Sequence, residues 1–94
     1  MKTTINGIRY DTIGATFIGS NSSGSNPDSA NWYTETLYCT PRSRRYFLAG
    51  KGGAATKYRN GGNGGKIIPI ATGEAIGWIR DNMGDEYVKY FEGE

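Results

Sequence analysis

Two aromatic-rich runs, WYTETLYC at 32 to 39 and RYFLAG at 45 to 50, are separated only by Thr40 and the polar stretch Pro41-Arg42-Ser43-Arg44. No other feature constrains the fold of this chain as strongly. Aromatic and β-branched runs on either side of a proline-containing turn read as the two strands of a hairpin. With Thr40 facing Arg45 across the turn, Leu37 falls opposite Leu48, Tyr38 opposite Phe47 and Cys39 opposite Tyr46. Each face of the ribbon then carries matched bulky pairs, which favours a sheet nucleated here.

The flanks extend that sheet. Asn6-Gly7 lies between KTTI and IRYD, and an Asn-Gly pair suits the two positive φ angles of a type I′ turn, so strands are expected at about 2 to 5 and 8 to 11. Residues 12 to 18 could lengthen the second strand, with Gly14 as a bulge or break. From 19 to 30 the chain reads GSNSSGSNPDSA, which has little to bury and predicts a solvated loop. A second loop is expected over 50 to 66, where seven of seventeen residues are glycine, with one turn of structure near 54 to 58. It returns the chain to Ile67-Ile68-Pro69-Ile70, a short strand that its proline confines to an edge or an end.

A helix follows. Thr72 is placed to cap it, Glu74 lies at the positive end of its dipole, and Ala75, Ile76, Ile79 and Met83 recur at helical spacing. The pattern gives about ten residues ended by Gly84, with Trp78 anchoring helix to sheet, and Asp85 then starts a short helix over 86 to 91. The expected fold is therefore α+β: one domain spanning 1 to 94, a four- to five-stranded antiparallel sheet built from two hairpins, and the C-terminal amphipathic helix and short terminal helix on one face. The opposite face is left for water or a partner, lined by Trp32, Thr34, Thr36, Tyr38 and Phe47.

Most chemistries are excluded by residue type. The chain has no histidine and one cysteine, Cys39, so it forms no internal disulfide and lacks the usual zinc and haem ligands; no metal or cofactor is expected. Cys39 has no imidazole to activate it and reads as a small core residue. A phosphate-binding loop fails at two positions, because Asn60 stands where its first glycine belongs and Ile67 where it needs a hydroxyl. The acids clustered on the C-terminal helices read as a solvated face rather than a catalytic pair. With no apolar run in MKTTINGIRY and no window of membrane-spanning length, a soluble cytoplasmic protein is expected.

Charge is the better lead. The net +2 conceals −1 over 1 to 41, +7 over 42 to 66 with no acid among them, and −4 over 67 to 94. Arg42, Arg44, Arg45, Lys51, Lys57, Arg59 and Lys66 form the basic set; Asp81, Asp85 and Glu86 lead the acidic one. These ten residues are the candidate partner-binding site, with protein docking by complementary charge as the first reading and nucleic-acid binding by the basic segment as the second.

Read in order, Thr3 with Ile5-Asn6-Gly7, Tyr10-Asp11-Thr12, Asn31-Trp32-Tyr33, Glu35-Thr36-Leu37-Tyr38, Tyr46-Phe47-Leu48, Gly52-Gly53-Ala54, Lys57-Tyr58 and Ile68-Pro69-Ile70, followed by Glu74-Ala75 and Trp78, resemble a family of small proteins of bacterial phages, plasmids and other mobile elements, some of them anti-CRISPR inhibitors. The resemblance covers nearly the whole chain. It implies a non-enzymatic protein that binds a bacterial CRISPR–Cas effector complex, a type I Cascade foremost, and blocks target DNA. It brings no catalytic residue with it.

Overall fold

A computed structural model describes residues 1–23, 26, 28–59 and 65–84. The fold is α+β. Strands β1 (Lys2–Ile5) and β2 (Ile8–Asp11) form a two-stranded ribbon; β3 (Thr16–Ser23), β4 (Tyr33–Cys39), β5 (Tyr46–Gly52) and β6 (Lys66–Ile70) form an antiparallel sheet in chain order; and α1 (Thr72–Met83) follows. No helix among the described residues is long and apolar enough to cross a membrane.

The central hairpin has the register its side chains dictate: Leu37 opposite Leu48, Tyr38 opposite Phe47, Cys39 opposite Tyr46. Thr40 closes its turn. The Thr40 amide donates to the Arg45 carbonyl at 2.9 Å, the Arg45 amide donates to Thr40 Oγ1 at 2.9 Å, and Thr40 Oγ1 also pairs with Ser43 Oγ at 2.8 Å. Asn6 and Gly7 take φ angles of 53° and 79°, as the ribbon's tight turn requires. Pro69, which cannot donate to a ladder, lies in β6 at the sheet's edge.

Alternation along β4 and β5 assigns the two faces. Leu37 and Leu48 face α1, which presents Ala75, Trp78 and Ile79 at helical spacing; Ile18 and Tyr58 complete this core. On the other face Phe47, Ala49 and Ile67 pack under Tyr10 of the ribbon, whose ring meets Phe47 edge-on at 5.4 Å. Both faces of the sheet are therefore covered.

That covering corrects the expectation of an open second face. Phe47 is fully buried, Tyr38 stacks on it at 5.4 Å, and Trp32, Thr34 and Thr36 are half-buried. Residues 12 to 15 do not lengthen β2 either. Asp11 accepts a hydrogen bond from the Ile13 amide, Thr12 bonds back to Met1, and Gly14 turns at φ 89°, which sends the chain into a separate sheet.

The polar run after Gly19 is strand as far as Ser23, because pairing with 33 to 37 of β4 satisfies its backbone whatever its side chains. The second glycine-rich loop likewise begins later than expected: β5 continues to Gly52, and turns then occupy residues 54, 55 and 57 to 59. At the helix start Ala71 occupies the capping position and makes no side-chain cap bond, which places Thr72 inside the first turn rather than at its cap. The Gly84 amide ends α1 by donating to the Ile79 carbonyl. The expected helix over 86 to 91 lies outside the described residues.

Candidate partner-binding site

Glu35 is a carboxylate that is only 3% exposed. It alternates in phase with Tyr33, Leu37 and Cys39, so β4 turns it inward to the helix-covered face. Three donors meet it there. The Tyr58 hydroxyl donates to Oε1 at 2.8 Å, the Trp78 indole N–H donates to Oε2 at 2.5 Å, and Lys57 Nζ lies 2.9 Å from Oε1. Burial pushes the Glu35 carboxyl up, but the hydrogen bonds from Trp78, Lys57 and Tyr58 and the Lys57 charge outweigh it and hold the group below the usual carboxylate range. Burial and the neighbouring carboxylate push the Tyr58 phenol well above its ordinary value.

Close approach makes the cluster possible. Tyr58 lies against Gly50, the residue paired with Glu35 on β5, where a Cβ would meet the Thr34 carbonyl and the Tyr58 ring. Lys57 reaches Glu35 from the solvent side, half exposed and 5.5 Å from the Tyr58 ring centroid. A shallow recess of about 280 Å³, lined by Asn31, Tyr33, Ala55, Thr56 and Lys57, opens beside it. With every buried side-chain polar atom among the described residues hydrogen-bonded, the cluster joins β4, the 53 to 59 turn and α1 into one unit.

The seven expected basic residues do not form one patch. Arg42, Arg44 and Arg45 occupy the β4–β5 turn, beside the pair Tyr46–Ile70, whereas Lys51 and Lys66 lie at the other end of β5, beside the pair Gly50–Lys66. Lys51 lies six positions after Arg45 along the strand, about 20 Å at the usual rise. Lys57 and Arg59 follow β5 on the next turn, and Lys57 is committed to Glu35. Arg42, Arg45, Lys51, Arg59 and Lys66 are exposed. Arg44 takes φ 51°, and Asp81 is exposed in the last turns of α1. Asp85 and Glu86 lie outside the described residues.

No group of three or more histidine, cysteine, aspartate or glutamate side chains among the described residues gathers closely enough to hold a metal ion. Cys39 is half-buried against the helix-side core. Compared with protein-family models, curated proteins and solved structures, the chain matches none.

Proposed function

We propose that this chain is a phage or mobile-element protein that inhibits a bacterial CRISPR–Cas effector, a type I Cascade foremost, by binding it in the host cytoplasm and blocking target DNA recognition without catalysing a reaction. The family reading rests on the resemblance in the sequence. The binding reading rests on one structural observation: the arginine-bearing β4–β5 turn is fixed by hydrogen bonds of Thr40 to Ser43, Arg44 and Arg45 while the Arg42 and Arg45 side chains stand in solvent. Cations held on a preordered turn lose little freedom on docking and steer an acidic partner into register.

A nucleic-acid accessory role for the 42 to 66 segment has weaker support, because its cations divide between two ends of the sheet and Lys57 already has a carboxylate partner. The test mixes the purified protein with a type I surveillance complex and follows target-DNA mobility and co-elution. Co-elution with loss of the DNA shift is expected; unimpeded DNA binding without co-elution removes the effector reading. Salt-sensitive binding to free DNA that falls when Arg42 and Arg45 become alanine moves the assignment to the second role.

A further inference from the structure

The end of the sheet that carries the arginine turn also carries the two most exposed large apolar side chains among the described residues, Ile13 at 83% and Phe17 at 61%. The register places them there. Phe17 pairs with Tyr38 and Thr16 with Cys39, one residue before Thr40 begins the arginine turn. Ile13 stands three residues before Thr16, within about 11 Å of chain, on a turn fixed by the Asp11 carboxylate and Gly14. Neither side chain belongs to either core cluster, and the Phe17 ring meets that of Tyr38 in an edge arrangement at 6.3 Å between centroids.

Beside them runs an open edge. β3 pairs with β4 on one side and, among the described elements, with nothing on the other. Natural edges are blunted by charge or proline. β6, at the opposite edge, has both in Lys66 and Pro69, whereas TFIGSNSS in β3 has neither and carries only a bulge between Phe17 and Gly19.

We propose that this end of the sheet is a docking site for an extended, acidic segment of a partner protein, which adds as a strand to β3, seats an apolar side chain against Ile13 and Phe17, and meets Arg42 and Arg45 with its carboxylates. The acidic character follows from the exposed Arg42 and Arg45, since neither 12 to 23 nor 36 to 49 contains a carboxylate and the nearby Asp11 is paired with Arg9 and the Ile13 amide. The extended form follows from the edge, whose outward amides and carbonyls need a strand to pair with. A protein suits it better than single-stranded nucleic acid, because the most exposed anchor is an isoleucine, which offers no stacking face. The inference rests on the reading of the chain as a partner-binding protein, but not on that partner being a CRISPR effector.

Selection of a displayed random-peptide library on the immobilised protein tests it, with the double variants Ile13→Ser/Phe17→Ser and Arg42→Glu/Arg45→Glu and a thymidine 20-mer in parallel. Expected are peptides that join carboxylates to apolar residues, bind the wild type at least tenfold more tightly than either variant, and slow amide exchange over 16 to 23. All substituted side chains are exposed, so both variants should melt with the wild type. No enrichment, equal binding to the variants, or slowed exchange confined to other segments overturns the proposal, as does Phe17-dependent binding of the thymidine 20-mer. The surveillance complex separates the two readings. If it binds wild type and both variants alike while no acidic peptide is enriched, the docking site falls and the inhibitor function stands; if it ignores the wild type while acidic peptides bind, the reverse holds.

Discussion

Replacing Glu35 with alanine tests whether the buried carboxylate is what fastens the helix and the 53 to 59 turn to the sheet. The substitution strands two buried donors, the Tyr58 hydroxyl at 1% exposure and the Trp78 indole at 9%. Each unsatisfied donor costs about 1–3 kcal/mol, and the vacated carboxylate leaves space that the surrounding chain fills only in part. Lys57 adds little, because its half-exposed ammonium regains water. The expected loss is about 3–5 kcal/mol, the sum of two stranded donors and the partly filled space. Against a domain stability of roughly 5–15 kcal/mol, that is at least a fifth of what holds a chain of this size together. Urea denaturation followed by tryptophan fluorescence measures it, since Trp78 reports the site directly. Glu35→Gln, which keeps the shape and one acceptor, should lose less than the alanine variant. A Glu35→Ala cost below about 1 kcal/mol would refute the reasoning, because it would mean that both donors find other acceptors at no expense.

The same geometry makes four further predictions. Tyr58→Phe removes a donor to a charged acceptor and should cost about 1.5–3 kcal/mol by denaturant midpoint. Gly50→Ala would push a methyl group into the Thr34 carbonyl and the Tyr58 ring; since backbone cannot move aside cheaply, a loss of about 2 kcal/mol or more is expected by thermal melt. In pH titration, Glu35 contributes stability because its folded-state pKa is depressed; the contribution is present in full above the ordinary glutamate value of about 4.3 and is lost as pH falls through the lower folded value, so wild type should approach Glu35→Gln in stability at strongly acid pH. Lys57→Met should lower stability by roughly 1–2 kcal/mol yet leave partner affinity unchanged, whereas Arg42→Glu/Arg45→Glu should do the opposite, as read by melts beside binding isotherms.

Much of the fold is legible in side-chain spacing. The central register follows from pairing bulky residues around Pro41-Arg42-Ser43-Arg44, and the ribbon turn from Asn6-Gly7, because in both places local chemistry and tertiary contacts ask for the same backbone. β3 is less legible beyond Gly19, since an edge strand held through its backbone need not show an apolar alternation. The covered second face has its own signal: FLAG, buried at four successive positions, is the mark of a strand enclosed on both sides. Glu35 has one too. Its phase matches Tyr33, Leu37 and Cys39, and an acid on a core face calls for donors, which Tyr58 and Trp78 can supply from elsewhere in the chain.

The burial of Glu35 also changes what the basic segment can be. A strongly basic stretch of sequence suggests one surface, but the antiparallel path of β5 carries its two ends about 20 Å apart, and the lysine nearest the carboxylate is drawn into structure. A buried carboxylate needs a cation more than it needs any particular fold, so the local excess of positive charge near 57 is partly a consequence of placing Glu35 on the core face of β4. The arginine turn has no such explanation in the hydrogen bonds that hold it: Thr40 and Ser43 close it through backbone and hydroxyl groups, and Arg42 and Arg45 extend into water beside an exposed isoleucine and phenylalanine. Two exposed arginines and two exposed apolar side chains around a rigid turn contribute nothing to the core. Their common position at one end of the sheet is therefore the strongest physical reason to place the partner there rather than at the lysine-bearing end.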